Sequence, residues 1–307
     1  MISAKMIAEV PALASQFQGA QPFRNVVIED FLEPGFAAQL LAEFPAFDAG
    51  RAINEMGGQG RKSVHERIRG LGPAYARLDD LIKGKDFLEL VSGITGIPDL
   101  LYDPHYFGGG THDNRDGQGL DAHVDFNRHP VTHSHRRLNL IVYLNPDWQP
   151  EWGGALELHS DPRSQDDRVV QVLPLFNRAV IFETTEHSWH GFSRIALPAS
   201  HAGEARRSIA LYFYSAERPA EELAPTHSTV YVDSPMPARI EAGLALTAAD
   251  VAELQGLFAG RDQHIQRLYR DIQALQGQVE QAHRALGLVR GSRVFRALAS
   301  LRRMLRR

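Results

Sequence analysis

His123 and Asp125 stand two residues apart in LDAHVDFNRHP, the stretch from Leu120 to Pro130. In an extended segment residues i and i+2 project to one face, so this imidazole and carboxylate lie side by side while Val124 and Phe126 turn the other way into apolar packing. A neutral imidazole nitrogen and a carboxylate oxygen are a common start to a metal site, but two groups do not hold an ion. The third has to come from another strand. The histidine-bearing motif of the right kind downstream is FETTEHSWHGFSRI, which offers His187 and His190. It is followed by RRSIALYFYS, where Arg206, Ser208, Ala210 and Tyr212 alternate with Arg207, Ile209, Leu211 and Phe213. Arg206 and Ser208 thus share one face, and Arg207 has the other parity.

Composition limits which metal chemistry is available. The chain of 307 residues has no cysteine, which excludes disulfides, thiolate zinc sites and iron–sulfur clusters, so a metal must be held by His, Asp and Glu. With 43% apolar and 23% charged residues it reads as a soluble globular protein able to build a sizeable core. No run of about 18 apolar residues marks a transmembrane helix, and Glu9 interrupts the short apolar start, which does not fit a secretory signal; a cytoplasmic location is expected. The net charge of −4 hides an asymmetry. The last 20 residues hold seven arginines and no acid, leaving 26 basic against 37 acidic side chains before them. A body of that sign gives no support for nucleic-acid binding.

The elements that must position these groups follow from periodicity. NVVIEDFLEPGFAAQLLAEFP reads as strand, turn and helix, with Phe36, Leu40, Leu41 and Phe44 at helical spacing, and PAYARLDDLIKGKDFLELVSGITGI as one or two further helices ending near Gly93 to Gly96. HVDF, RLNLIVYLN, GALELH, RVVQVLPL, RAVIFE and RRSIALYFYS are short β-rich runs with turn signals between them. Parity in RRLNLIVYLN sets Arg137, Asn139, Ile141 and Tyr143 against Leu138, Leu140, Val142 and Leu144. A mixed face on neighbouring strands suits the inside of a small barrel with a ligand cavity. The segment GGGTHDNRDGQG, Gly108 to Gly119, is too rich in Gly and Asp to read as a strand and is expected to be a loop or a lid. His129, His133 and His135 are expected as solvated loop histidines, and Asn127 and Asn139 can reach the substrate mouth.

Beyond a linker at 236–248, Phe258, Ile265, Ile272, Val279 and Leu286 recur every seven residues, with Leu254, Arg261, Leu268, Leu275 and Ala282 in a second register. That pattern predicts a coiled coil over 249–287, and β-branched residues at one position with Leu at the other favour a parallel homodimer. The competing expectation is a long helix folded back on the body. In the basic amphipathic tail, 288–307, Val294, Leu298, Leu301 and Leu305 form one stripe collared by arginine, the profile of a segment lying on an anionic membrane surface or against a partner helix.

Taken in order, HVD at 123–125, IVYLNPDW at 141–148, GGALEL at 153–158, HGF at 190–192 and RRSIALYFY at 206–214 resemble the prolyl 4-hydroxylase-like branch of the Fe(II)/2-oxoglutarate-dependent oxygenases over about Phe23 to Ser215, within a domain expected at 1–235. The resemblance implies a mainly β fold with flanking helices, a double-stranded β-helix (jelly roll), here followed by the C-terminal α-helical coiled coil. It implies Fe(II) held by His123, Asp125 and His190, the last chosen over His187 because the family places its distal ligand directly before a pair such as Gly-Phe. Two imidazoles and one carboxylate on one face leave the other positions open, as that chemistry needs. It further implies 2-oxoglutarate as co-substrate, bound by Arg206 with Ser208 and Tyr143, and leaves room for ascorbate as a reductant. The implied reaction is decarboxylation of 2-oxoglutarate to succinate coupled to hydroxylation of a prolyl side chain, a sugar or glycolipid, or a small metabolite. The rival is a non-redox cupin-like barrel that binds another metal or serves assembly, and it has no need for a carboxylate fork at Arg206.

Overall fold

The structure, a computed structural model, describes residues 1–52, 62–233, 236–237 and 239–291, with only the backbone of 287–291. Met1–Pro235 and Met236–Arg307 form two separate units. In the first, the helices α1 (Ala4–Ala8), α2 (Val10–Gly19), α3 (Pro34–Ala42), α4 (Pro73–Ile82) and α5 (Lys85–Thr95) accompany the strands β1 (Asn25–Ile28), β2 (Lys62–His65), β3 (Leu101–Tyr102), β4 (Gly110–Asn114), β5 (Leu120–Val124), β6 (His135–Tyr143), β7 (Leu156–His159), β8 (Val169–Val172), β9 (Ala179–Glu183), β10 (Trp189–Phe192), β11 (Arg206–Ser215) and β12 (Val230–Tyr231). Among the described residues these strands make two antiparallel sheets, one ordered β1-β9-β6-β11-β4-β2 with β3 beside β11, the other β12-β5-β10-β7-β8. This is the jelly-roll arrangement of a mainly β protein.

Strand alternation decides what each face of the larger sheet does. Leu138, Leu140, Val142, Ile209, Leu211 and Phe213 point outward and are buried together with Phe17, Leu40, Tyr75 and Val91 from the helices, forming one apolar core. At about 25 cal/mol per Å2 of apolar surface, this layer is what fixes the register of the central strands. The opposite face carries Ile141, Ser208, Ala210 and Tyr212 and lines a cavity between the sheets. The first unit therefore keeps its grease on one side of β6 and β11 and its chemistry on the other.

Three expectations are corrected. The segment beginning at Gly108 contains a strand: β4 is buried at every residue and pairs with β11 on one side and β2 on the other, so sheet contacts override its poor strand propensity. Gly110 supplies the reason for the glycines, since at φ +92° a Cβ there would lie 2.1 Å from the His65 carbonyl oxygen. His129 is buried: its Nδ1 accepts from the backbone N–H of Val131 and of Thr132, both at 3.1 Å, and its Nε2 lies 3.2 Å from Asp103 Oδ1, so it ties a turn together. His135 is buried too, at the start of β6, while His133 is exposed. Finally, Arg137 does not share the face of Asn139. The pairing of β6 with β11 slips between Phe213 and Tyr214, where Leu138 faces Phe213 but Arg136 faces Tyr214. That bulge inserts one residue and reverses parity, so Arg136 enters the cavity and Arg137 turns to Glu222 at 3.3 Å and Glu183 at 3.8 Å.

The second unit is α6 (Ala248–Gly291), a helix of 44 residues. Phe258, Ile265, Leu268, Ile272, Leu275 and Val279 along it are exposed. The stripe read at Val294, Leu298, Leu301 and Leu305 lies outside the described residues. Among the described residues no helix is long and apolar enough to cross a membrane.

Candidate active site

The cavity, of about 330 Å3, has His123, Asp125 and His190 at one end and Arg206 at the other. At the first, β10 pairs with β5 so that His190 stands directly opposite His123, their ring centroids 4.2 Å apart. Gly191 allows this approach, because a Cβ there would sit 2.5 Å from the Leu120 carbonyl oxygen. Each histidine is oriented by a carbonyl of its own strand: His123 Nδ1 is 2.9 Å from the Asp121 oxygen and His190 Nδ1 is 2.9 Å from that of Ser188. A carbonyl only accepts, so each Nδ1 carries the proton and each Nε2 of a neutral ring presents a lone pair. Asp125, just past the end of β5, completes the group, with Oδ1 3.8 Å from His123 Nε2 and Oδ2 3.5 Å from His190 Nε2. One ligand atom from each of the three lies within 4.8 Å of the others, a separation that a single ion spans, and no other such cluster is found among the described residues.

The electrostatics suit a cation. Burial, then the neighbouring His123, pushes His190 down to about 3, so it is neutral and able to ligate at ordinary pH. Burial by itself raises the Asp125 carboxyl, but Arg136, the two histidines and Asn139 together hold it well below the usual carboxylate range. His187, the alternative ligand, is exposed, and its backbone N–H donates to Thr185 Oγ1 at 3.1 Å in the preceding turn.

At the other end Arg206 opens β11 and is 4% exposed. Its Nε donates to the Gly154 carbonyl at 2.6 Å and an Nη to the Tyr143 hydroxyl at 3.2 Å, and its guanidinium lies 4.3 Å from the centre of the Phe192 ring. Gly154 has φ +69°, and a Cβ there would sit 3.2 Å from Arg206 Cδ, which accounts for the second glycine of GGALEL. Ser208 lines the same cavity and faces Tyr143 across the β6–β11 ladder. Arg207 points away, its guanidinium 6.0 Å from the Phe44 ring centre. Among the described residues no carboxylate lies within ion-pairing distance of Arg206.

Several cavity residues were not legible in the sequence as site residues. Arg136 is fully enclosed, between the rings of Tyr212 at 3.7 Å and Phe126 at 4.5 Å, and lies 3.1 Å from Asp125 Oδ2. Phe126 therefore faces the cavity and not the packing expected for it, because β5 ends at Val124. Asn139, expected at the substrate mouth, lines the cavity and donates to Asp125 Oδ2 at 2.8 Å. Asn127 instead secures a later segment: its amide donates to the Pro225 carbonyl at 2.8 Å and its oxygen accepts from His227 N–H at 3.1 Å. That segment leads into β12, where Tyr231 pairs with His123 and places its ring 5.1 Å from the imidazole; Thr229 and Tyr231 both line the cavity. His112, on β4, lines it as well, and burial drives its imidazole well below the usual value.

Two facing antiparallel sheets thus carry a His-Asp-His cluster at one end of the space between them and a buried arginine at the other. Residues 109–214, about a third of the chain, match the family described as the 2OG-Fe(II) oxygenase superfamily. It is 32% identical over 104 residues to prolyl 3-hydroxylase OGFOD1 of Mus musculus, covering 33% of this chain and 17% of the relative. The Xenopus laevis prolyl 3-hydroxylase OGFOD1 is 35% identical over 92 residues, 29% of this chain and 17% of that one. The matched part thus spans about a sixth of the length of these relatives. Among solved structures, a prolyl 4-hydroxylase from Phytophthora capsici aligns with 20% identity and a TM-score of 0.49 over 86% of this chain and 75% of that one. A prolyl hydroxylase from Trichoplax adhaerens in complex with a hypoxia inducible factor peptide aligns with 17% identity and a TM-score of 0.48 over 69% and 91%.

The residues present fit the family's metal and co-substrate. Two neutral imidazoles and a carboxylate are the donor set for a non-haem Fe(II) with open positions. A buried guanidinium with no acid within ion-pairing distance among the described residues is a site short of one negative charge, which the far carboxylate of 2-oxoglutarate would supply.

Proposed function

We propose that the protein is a dioxygenase that hydroxylates a C–H bond of its substrate at the expense of 2-oxoglutarate and O2, with His123, Asp125 and His190 holding Fe(II) and with Arg206, Tyr143 and Ser208 holding the co-substrate. Iron and 2-oxoglutarate together supply the oxidising chemistry, the co-substrate leaving as succinate and carbon dioxide. The chain's own part is placement. Asp121 and Ser188 carbonyls fix the tautomer of the two imidazoles, so that both Nε2 atoms face one point. Arg206 is aimed by Gly154 and Tyr143, and Phe192 covers its face and keeps water from it. Tyr231, Thr229 and Phe126 bound the space left for a substrate.

The single observation that carries this reading is Arg206 itself, a buried cation without an acid in the same cavity as a three-ligand cluster. A cupin-like binding module has the cluster but no use for the cation. The test is succinate formation from 2-oxoglutarate by the iron-loaded protein, alone and with fractions of cell extract, against the His190→Ala variant. Turnover in the wild type only supports the reading; equal turnover in both, or in neither, sinks it. The prolyl hydroxylase relatives make a prolyl side chain the first substrate to try, with sugars and small metabolites after it.

We also propose that α6 pairs with a second copy of the chain as a parallel coiled coil. Its exposed apolar residues recur at the heptad spacing, and a stripe of that length in water is stabilised by a partner helix. Arg261 at a seam position lies next to an acidic neighbour, Asp262, which in a parallel pair falls beside the other strand's arginine. Light scattering should report a dimer that Ile265→Asp with Ile272→Asp converts to monomer. The sequence of 288–307 supports attachment of that dimer to an anionic membrane, and flotation of full-length protein with anionic vesicles at low salt tests it.

A further inference from the structure

The Asp125 carboxylate is held in a closed ring of polar contacts that no metal ligand needs for its own sake. Asn139 donates from Nδ2 to Asp125 Oδ2 at 2.8 Å. Arg136 faces the same oxygen at 3.1 Å and also donates to Asn139 Oδ1, from Nε at 3.1 Å and from Nη2 at 2.8 Å. The guanidinium therefore fixes which way the Asn139 amide points, and both groups converge on Oδ2. The ring is itself immobilised: Arg136 is 1% exposed, and the Tyr212 and Phe126 rings flank it at 3.7 and 4.5 Å. Oδ1 lies 3.8 Å from His123 Nε2, while Oδ2, 3.5 Å from His190 Nε2, is the oxygen that carries both contacts.

We propose that Arg136, acting with Asn139, is a positioning residue that makes Asp125 a one-oxygen ligand and so keeps the remaining coordination positions for 2-oxoglutarate and dioxygen. This rests on the Fe(II) and 2-oxoglutarate reading given above. A free carboxylate in this place can turn and bind an ion through both oxygens, and three protein residues would then occupy four positions. The two donors on Oδ2 oppose that turn, because coordinating through Oδ2 means giving up a buried charge-assisted contact. Charge points the same way. The Arg136–Asp125 pair is neutral overall, so Arg136 offsets the repulsion that the Asp125 carboxylate would otherwise exert on an anionic co-substrate. Nothing in the sequence marks Arg136 for this role, since strand parity assigns the cavity to Arg137; only the β6 bulge exchanges them.

The test uses the full-length chain with Co(II) as the probe, whose d–d absorption weakens as its coordination number rises. Arg136→Met should still bind Co(II), with a dissociation constant within about three-fold of wild type, because the lost repulsion of the guanidinium offsets the lost orientation. Its d–d absorption should be weaker than that of the wild type, and the 2-oxoglutarate concentration needed to perturb that absorption should rise by about ten-fold, in line with the usual effect of removing a group that orients a ligand. Arg136→Lys should recover part of both changes, since an ammonium keeps the charge but not the fork. Asn139→Ala, which leaves Arg136 in place, should move both readings in the same direction by less. An Arg136→Met spectrum and 2-oxoglutarate requirement equal to wild type overturn the inference. So does loss of all Co(II) binding in Arg136→Met together with wild-type readings in Asn139→Ala, the result of a merely structural arginine. A wild-type protein that binds no Co(II) removes the metal reading and this inference together, whereas the preceding outcomes remove the inference alone.

Discussion

The two ends of the cavity hold charge in opposite ways. At the His-Asp-His end a half-buried carboxylate comes with its own buried guanidinium, Asp125 with Arg136 at 3.1 Å. At the far end Arg206 is buried with a carbonyl, a hydroxyl and the Phe192 ring against it and, among the described residues, no carboxylate within ion-pairing distance. Desolvating an ion costs several kcal/mol, and a partner of opposite sign offsets that cost. The first end is therefore settled within the protein, and the second is settled only when an anion arrives. The cavity thus combines one satisfied and one unsatisfied ion, the arrangement that the proposed binding of a cation and a dianion calls for.

The sharpest way to break this contrast is by function. His190→Ala should abolish metal-dependent turnover while His187→Ala keeps most of it, measured as succinate release; the reverse ranking would dismantle the ligand assignment. Next, Arg206→Ala should raise the 2-oxoglutarate concentration for half-maximal turnover about 100-fold, the scale of one or two charged hydrogen bonds, with metal affinity little changed. Arg207→Ala, on the same strand with the other parity, should do almost nothing to it. Stability sharpens the comparison further. In metal-free protein, Asp125→Ala strands Arg136 without its acid and should cost about 3–5 kcal/mol in denaturant unfolding, whereas Arg206→Met, which removes a cation already unpaired, should stay within about 1 kcal/mol of wild type.

The smallest effect expected is on pH. Burial lowers both His190 and His112 relative to the unfolded chain, whose histidines titrate near 6.5. Below that value the unfolded state binds protons that the folded state refuses, so stability rises with pH across the interval. For His190 the loss accumulates as pH falls from about 6.5 toward about 3. Melting temperatures of the metal-free protein at pH 7.5 and pH 5 should show the lower value at pH 5, with a narrower gap in His112→Gln. An equal or higher melting temperature at pH 5 would contradict it.

How much of this could be read beforehand depended on whether a residue's neighbours lie along its own strand. Ser208, Ala210 and Tyr212 fall on the cavity face because β11 is regular from Arg206 to Phe213, and simple alternation suffices there. The same rule fails on β6 at the bulge, where one extra residue exchanges Arg136 for Arg137, and an insertion of that kind leaves no mark in composition. β4 was obscured for another reason: its partners, β11 and β2, lie far away in sequence and impose extension on residues that do not favour it. His129 is a further case, since loop histidines are usually solvated and only the distant Asp103 brings this one inside.

β12 has a consequence of a different order. The stretch that matches the oxygenase family ends at residue 214, yet Thr229 and Tyr231, on or next to the edge strand β12, form part of the cavity wall beside His123. The reactive groups and this part of the wall are thus written in separate, consecutive pieces of the gene. Exchanging residues 225–233 alters what the cavity admits while leaving His123, Asp125, His190 and Arg206 in place, which makes this short segment a natural point at which selectivity can be rewritten without rebuilding the chemistry.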